Sequence, residues 1–321
     1  MKIFILGKKD SIVHWVEDAA AGFRAAGHAV EIGITRNPRI AQAIDRLLVA
    51  PAAGQLRTRA LLHRIRRFAP DLILAITFYH MPTPLLAALH AMPGRAPILA
   101  WVGDKFSPAE AAKSGYADAF AYTDKGLLAD HARLVPGKPA HWVPHAAKPL
   151  PTNTPIRPAA ERVNRLLFVA AQTPYRQSVI AGITAPITLI GPGWGGLGDT
   201  VHEVQNRRID TAALLDAYGT HRAVLNAHNE HNTLSGLNQR HFDPYLFATP
   251  VLSDPQPDLS ACFEIGREIL VWESLEQLNE LHDRIRHDPG LAMQVGEAGR
   301  RRVLAEHSYG QRLTQLAALV R

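Results

Sequence analysis

The sequence predicts an α/β protein with two doubly wound domains, each built on a mostly parallel sheet. Short β-branched or apolar runs alternate with longer amphipathic patterns from the first residue onward, which is typical of βαβ units. Residues 145–158, HAAKPLPTNTPIRP, contain four prolines and no apolar periodicity, and the alternation begins again after them. The chain has 321 residues, enough for two domains with separate cores.

The predicted strands fall into two sets, one on each side of the proline-rich stretch. Helices fill the intervals, and Gly27 is a C-cap signal for the first of them. The first set of strands is Lys2–Leu6, Ala29–Thr35, Asp71–Thr77, Pro97–Val102, Asp118–Tyr122 and His141–Val143. The second set is Arg165–Ala170, Ile187–Ile190, Ala223–Ala227, Pro250–Ser253 and Glu268–Trp272.

Helices dominate the last sixty residues. Ser274 and Gln277 have the spacing of a capping box, and Gly290 ends the helix that they begin. We therefore predict an N-terminal domain at 1–148, a C-terminal domain at 159–304 and a final helix at 305–321 that can pack back on the N-terminal domain. Two such domains would form a cleft between the carboxyl ends of their sheets.

The chain is basic, with a net charge of +6 and a pI near 9.6, which favours anionic partners. Charge alone does not choose among nucleotide phosphates, nucleic acid and an acidic membrane surface. In residues 56–68, LRTRALLHRIRRF, the arginines Arg57, Arg64 and Arg67 lie mainly off the apolar helical face. They form either a solvated outer face or a peripheral contact with the inner face of a membrane.

The sequence predicts a cytoplasmic protein. It contains no run of 18 apolar residues, and its first residues, MKIFILG, lack a cleavage site for a signal peptide. The single cysteine, Cys262, cannot form a disulfide framework and fits a reducing compartment as a buried small residue.

Several common catalytic and nucleotide-binding motifs are absent from the sequence. There is no GxGxxG after the first strand, no Walker loop and no GxSxG elbow. Residues 190–199, IGPGWGGLGD, follow a strand and could approach a phosphate or a sugar, or form a plain turn. Arg176 falls on the first turn of a predicted helix, where a guanidinium could add to an anion site at the helix end or lie at the surface.

Residues 226–243, NAHNEHNTLSGLNQRHFD, are dense in amides, imidazoles and carboxylates. Three histidines, His228, His231 and His241, raise the alternative of a metal site with hydrolytic chemistry, but their spacing lacks the HExxH order. Such a mixture supplies hydrogen-bond donors and acceptors together, which favours binding of a hydroxyl-rich ligand.

This region resembles the CgeB-like branch of the GT-B glycosyltransferases, which is related to family 4, or "group 1". That branch usually has LN-x-H, then G-x-N-x-R-x-F-E, and then a strand that ends in Asp. The stretches APDLILAIT, ILAWVGDKFS and AYTDKGLLADHARL resemble its N-terminal domain more loosely. The matching positions are Asn226, His228, Gly236, Asn238, Arg240, Phe242 and Asp254.

The resemblance implies a GT-B fold, with two Rossmann-like domains that face each other and a nucleotide diphosphate sugar held mainly by the C-terminal one. It implies no cofactor, no required metal and no nucleic-acid partner, and it leaves the acceptor unknown. Arg176 and Arg240 would balance the leaving diphosphate. The other implied donor contacts are Gly191, Gly193, Trp194, Asn226, His228 and Asn238.

Two positions depart from the family pattern. Asp243 stands where the family has a glutamate that accepts hydrogen bonds from ribose, and Pro244 after it makes a helix cap an equal alternative. Ser235 stands where the paired-glutamate pattern of family 4 would need an acid. These departures keep open a non-catalytic nucleotide-sugar-binding or scaffold protein.

The acceptor side is less clearly marked. His14, Tyr79, His80 and Asp104 fall at or after strand ends of the first domain. If the reaction inverts the anomeric carbon, Asp104 or His14 could accept the proton of the acceptor hydroxyl. A nucleotide-sugar epimerase is the rival enzyme, whereas a phosphorylase is disfavoured because the predicted site region has no lysine for pyridoxal phosphate.

Overall fold

The structure is a computed structural model that describes residues 1–7, 13–35, 50–197 and 201–320. It divides into two compact units. The N-terminal unit comprises Met1–Pro144 and Tyr309–Arg321, and the C-terminal unit comprises His145–Ser308. Each unit contains a six-stranded parallel sheet with helices packed on it, so the predicted α/β class is confirmed.

The sheet of the N-terminal unit has the strand order β2-β1-β3-β4-β5-β6. Its strands are almost entirely apolar because helices cover both faces of a parallel sheet. The chain reverses its direction of winding between β1 and β3, where Ile3 pairs with Leu72. The strands are β1 Lys2–Gly7, β2 Ala29–Ile34, β3 Leu72–Ile76, β4 Ile98–Val102, β5 Ala119–Tyr122 and β6 Ala140–Trp142.

The last helix of the chain belongs to the N-terminal unit. Tyr309 packs so closely on Gly22 that a Cβ added to this glycine would lie 2.4 Å from the Tyr309 Cβ. Arg312 is buried and donates from Nε to the Pro144 carbonyl at 2.9 Å. Among the described residues, the α-helices of this unit are Val13–Ala25, Ala50–Phe68, Thr83–His90, Pro108–Ala111, Gly126–Leu134 and Tyr309–Ala318.

The sheet of the C-terminal unit has the order β12-β11-β10-β7-β8-β9 and reverses its winding between β7 and β10. The strands are β7 Val163–Val169, β8 Ile187–Ile190, β9 Glu203–Gln205, β10 His221–Asn226, β11 Val251–Ser253 and β12 Leu270–Val271. The α-helices are Pro174–Ala181, Thr211–Thr220, Leu275–His287 and Pro289–Glu306. Short 3-10 helices include Trp194–Gly196, Gln239–His241 and Asp243–Phe247.

The basic helix of the N-terminal unit packs by its apolar side. Leu61 and Ile65 are buried against the sheet, as the sequence predicts. Arg64 donates to the Glu31 carboxylate at 3.1 Å, and its guanidinium lies 5.7 Å from the centroid of the Phe4 ring. The side chain of Arg57 lies outside the described residues. No helix in the described part of the chain is long and apolar enough to cross a membrane.

A buried histidine in the C-terminal unit predicts how stability depends on pH. His282 is fully buried, and neither of its ring nitrogens has a hydrogen-bond partner among the described residues. Burial, assisted by Arg286, lowers its pKa to about 4. The unfolded chain therefore takes up a proton near the ordinary pKa of about 6.5, while the folded protein does not. Stability is retained above that pH and is lost as the pH falls toward 4.

We expect His282→Leu to reduce this acid sensitivity. Between pH 6.5 and 4, the slope of unfolding free energy against pH should decrease by about 1.4 kcal/mol per pH unit, the contribution of one proton. Urea unfolding across this pH range measures the slope. His287→Leu is the control, because His287 lies on the same helix and is exposed. Equal slopes in His282→Leu and the unaltered protein would contradict the assignment.

Candidate functional site

The carboxyl edge of the C-terminal sheet gathers most of the polar residues that the sequence singles out. Strands β10 and β11 run in parallel, and Asn226 pairs with Ser253 at their ends. The residues that follow the two strands therefore lie side by side, next to the point where the sheet reverses its winding. Open α/β sheets bind ligands at such an edge. We call Arg176, Asn226, His228, Asn238, Arg240 and Asp254 the edge site.

Asn226 is the buried centre of the edge site. Its Oδ1 accepts from Arg240 Nε at 3.0 Å and from Asn238 Nδ2 at 3.4 Å. The sequence interpretation gave Asn226 a direct contact with sugar or phosphate, but the residue is 0% exposed. In this structure it acts by holding Arg240 and Asn238 in place.

His241 supports this centre from below. Its imidazole lies 2.7 Å from Asn226 Nδ2 and 3.0 Å from the Ser253 hydroxyl. Burial lowers the pKa of His241 to about 4, although Asp254 opposes the shift. The ring is therefore neutral at neutral pH, and both of its nitrogens lie against polar groups of the protein.

Arg176 joins two loops at the edge site. Its Nε donates to the carbonyls of Ala227 and His228, and its Nη1 donates to the Ala171 carbonyl, each at 3.1 Å. Burial, together with the nearby charge of Arg240, lowers its pKa to about 10, so the side chain remains a cation at neutral pH. Two like charges close together, on the buried Arg176 and the half-buried Arg240, favour an anionic ligand.

The helix that carries Arg176, Pro174–Ala181, already has an acceptor at its N-terminus. Glu230 accepts from the Thr173 hydroxyl at 2.9 Å and from the Tyr175 backbone N–H at 3.3 Å. The sequence interpretation placed a ligand anion there, beside Arg176. A carboxylate of the chain itself lies in that place, and it satisfies N–H groups that the helix leaves unpaired.

The glycine-rich segment 190–197 is a tightly packed connection. Gly191 has a φ of +154°, and a Cβ at this residue would lie 1.9 Å from the Ala170 carbonyl oxygen. Gly193 has a φ of +96° and lies against the side chain of Gln172. Trp194 is buried and donates from Nε1 to Ala170 O at 2.7 Å. The Trp194 ring is thus packed in the core, and the contacts that the segment can offer a nucleotide come from its backbone.

Asp243 contacts the proline-rich segment. It is buried, and its Oδ1 accepts from the backbone N–H of Lys148 at 2.9 Å. The short helix Asp243–Phe247 contains Asp243 in its first turn, and Phe242 occupies the cap position. Capping by Asp243 is therefore not what the structure shows, and ribose binding by this residue stays a prediction.

The N-terminal unit has a second polar group at the ends of β3 and β4. His80 Nε2 lies 3.9 Å from Asp104 Oδ2, and His80 Nδ1 lies 3.8 Å from Glu110 Oε1. Thr77, directly after β3, has a φ of +57°, an unusual value for a β-branched residue. His14 follows β1 on the helix Val13–Ala25, and its neighbour Trp15 packs against Gly103 beside Asp104.

Tyr79 lies in the core, although the sequence interpretation placed it at the cleft. It is 3% exposed, and its hydroxyl lies 3.1 Å from the hydroxyl of Tyr122. Burial raises its pKa to about 12. Tyr122 in turn contacts His131 Nδ1 at 2.8 Å. The hydrogen bonds that link Tyr79, Tyr122 and His131 hold Tyr79 in place, and His80 is the next residue along the chain.

The histidines considered for a metal site lie in different environments. His231 is exposed and lies 3.8 Å from Glu230, whereas His241 is fully buried. Within the described ranges, no three His, Cys, Asp or Glu side chains are grouped so that they could hold a metal ion.

Sequence reasoning assigned no role to Tyr175 or Asp254 and considered His241 only as a metal ligand, whereas the structure places all three in or beside the edge site. Tyr175 and Asp254 contact His228, and His241 supports Asn226. A sequence signal existed for Asp254 alone, since a polar residue at the carboxyl end of a parallel strand favours a ligand site.

A protein-family model matches most of the C-terminal unit and the last helix. Residues 164–318 match the family model described as "Glycosyl transferase-like". No curated protein sequence matches the chain.

Solved structures match over nearly the full length. HepE from Anabaena in complex with UDP-glucose has a TM-score of 0.67 at 12% identity, covering 99% of this chain and 98% of that one. Sucrose-phosphate synthase from Thermosynechococcus elongatus has a TM-score of 0.66 at 13% identity, with the same coverage. A glycosyltransferase from Rickettsia africae has a TM-score of 0.65 at 11% identity, covering 99% of this chain and 97% of that one. The predicted GT-B fold is therefore confirmed.

Proposed function

We propose that the protein is a glycosyltransferase that moves a sugar from a nucleotide diphosphate sugar to an acceptor hydroxyl without a metal ion or another cofactor. The observation that carries the proposal is the pair of cations, Arg176 and Arg240, at the carboxyl edge of the sheet in the unit that matches the glycosyltransferase-like family model. HepE, which shares the fold, forms a complex with UDP-glucose. We further propose that the chain belongs to the CgeB-like branch, on its LN-x-H and G-x-N-x-R-x-F motifs.

The edge site suits the chemistry of a leaving diphosphate. During transfer, the acceptor oxygen bonds to the anomeric carbon, and the bond from that carbon to the diphosphate oxygen breaks. Negative charge then grows on the diphosphate. Arg176 and Arg240 are held by carbonyls and by Asn226, so they provide oriented positive charge without reorganisation. Asn238 adds an amide for a sugar or phosphate oxygen.

The acceptor proton requires a base if the anomeric carbon is inverted. We propose Asp104 or His14 for this role, with His80 next to Asp104 as a group that stabilises its charge. In a reaction that retains the configuration, the protein need not supply a nucleophile that bonds to the sugar. The contact of His80 with two carboxylates makes Asp104 the better supported of the two residues.

We propose a cytoplasmic location on the composition of the chain, whose single cysteine, Cys262, is buried and fits a reducing compartment. Peripheral contact with the inner face of a membrane stays a proposal. Since Arg64 is paired with Glu31, such a contact would depend on Arg67 and other exposed cations of the helix Ala50–Phe68, such as Arg59 and Arg66.

A donor screen tests the proposed function. We expect one of UDP, GDP and dTDP to raise the melting temperature in the presence of EDTA, because the arginines alone offset the diphosphate charge. A sugar conjugate of the nucleotide that binds should then release the nucleoside diphosphate when an acceptor extract is added.

Three results would decide against the proposal. Stabilisation that requires zinc or manganese would exclude metal independence and favour the metal-site alternative. Binding of a nucleotide sugar without any release of diphosphate would favour a non-catalytic binding protein, and interconversion of the donor sugar would favour an epimerase.

A further inference from the structure

The carboxylate of Asp254 is a buried acceptor within the edge site. One of its oxygens, Oδ2, receives three donors. The backbone N–H of His228 lies at 2.9 Å, the hydroxyl of Tyr175 lies at 3.0 Å, and His228 Nδ1 is also in hydrogen-bond contact. The other oxygen, Oδ1, is buried and has no partner among the described residues. A carboxylate in this state accepts hydrogen bonds and favours a neighbouring positive charge.

These contacts fix the imidazole of His228. An ionised carboxylate can only accept, so the ring nitrogen that touches it, Nδ1, must carry hydrogen. Nε2 is then the nitrogen on the outer side of the ring, and the side chain of His228 is 26% exposed. The ring of Tyr175 packs on the imidazole with centroids 4.6 Å apart, which limits its rotation.

Charged groups of both signs surround His228. Asp254 contacts its ring, and burial lowers the pKa values of Arg176 and Arg240, a shift that the charge of Asp254 opposes. An arriving diphosphate adds negative charge to the same place and offers oxygens that accept hydrogen bonds.

We propose that Asp254 and Tyr175 are positioning residues that hold His228 so that its Nε2–H donates to an oxygen of the leaving diphosphate. The inference rests on the proposed glycosyltransferase function and adds a third cationic group to Arg176 and Arg240. As the bond between sugar and diphosphate breaks, the imidazolium stabilises the negative charge that forms, and Asp254 stabilises the imidazolium. No proton has to leave His228 in this step.

The tautomer of His228 in the ligand-free protein is the first test. We expect nitrogen-15 NMR of the neutral ring to show hydrogen on Nδ1 and an unprotonated Nε2. Asp254→Asn should reverse this pattern, because an asparagine can place its amide N–H against Nδ1. A neutral His228 with hydrogen on Nε2 in the unaltered protein would overturn the inference, whether or not any variant folds.

Binding and turnover are the second test, with UDP, GDP and dTDP as the probes of binding and the nucleotide sugar of the one that binds, together with an acceptor extract, as the substrates for turnover. The nucleotide that binds should shift the Nε2 signal. Asp254→Asn should reduce kcat by about 100-fold while KM changes by less than about threefold, since the interaction strengthens as charge develops. Tyr175→Phe removes one of three donors and should reduce kcat by roughly three- to tenfold. Asp283→Asn, at an exposed aspartate of the helix Leu275–His287, is the control.

The outcomes separate the inference from the function on which it rests. If a nucleotide binds and its nucleotide sugar is turned over, but His228 does not respond and Asp254→Asn keeps the original kcat, the inference fails and the function stands. If none of the three nucleotides binds, the proposed function fails and the inference fails with it.

Discussion

Arg240→Ala should weaken binding of the nucleotide diphosphate by about 1.5 to 3 kcal/mol, which corresponds to a Kd roughly 10 to 150 times higher. The side chain would contribute a charge-assisted hydrogen bond to a phosphate oxygen, and Asn226 holds its Nε at 3.0 Å for that purpose. The truncation also removes the stronger of the two donors to Asn226 Oδ1, which leaves only Asn238 Nδ2. Part of the lost affinity should therefore come from a less well held Asn238. Calorimetric titration with the nucleotide that succeeds in the donor screen measures the change.

Two further variants sharpen this experiment. Arg240→Lys keeps the charge but changes its geometry, and we expect an intermediate loss of affinity. Arg301→Ala is the control, because this arginine is exposed on the helix Pro289–Glu306, far along the chain from the edge site. A folded Arg240→Ala protein with unchanged affinity would refute the role of Arg240.

Gly191→Ala should destabilise the protein by about 2 to 4 kcal/mol, because an alanine is strained at a φ of +154° and its Cβ would press on the Ala170 carbonyl. The neighbouring Gly196→Ala should change stability by less than about 0.5 kcal/mol, since a Cβ there would meet no atom within 4 Å. The urea midpoint of unfolding compares the two variants. Gly191→Ala at full stability but with lost nucleotide binding would return this glycine to the role of a ligand contact.

The sequence predicts the sheets well because most of their strands are short apolar runs, which in an α/β domain are buried as parallel strands. All eleven predicted strands are present, and Ile187–Ile190 has the predicted bounds. The strand β9, Glu203–Gln205, was missed. It has three residues and lies at an edge of the sheet, and Val204 is its one apolar residue. So short a segment has no hydrophobic pattern from which a strand could be predicted.

The site was predicted less completely because its geometry depends on which strands pair. His228 and Asp254 are 26 residues apart, and they meet because β10 and β11 are neighbours in register. Tyr175 reaches Asp254 across 79 residues. Hydrophobic periodicity carries no signal of such pairings. The same limit explains Trp194, whose aromatic side chain after a glycine suits a base contact equally well until its packing on Phe168 is known.

The position of the last helix affects the order in which the protein can fold during synthesis. Residues 145–308 form a continuous unit, and all of them precede the last helix in the sequence. The N-terminal unit, although made first, waits for Tyr309 to pack on Phe23 and Gly22 and for Arg312 to reach Pro144. We infer that the N-terminal unit reaches its native packing only after the residues of the C-terminal unit have been synthesised, which reverses the usual N-terminal-first order.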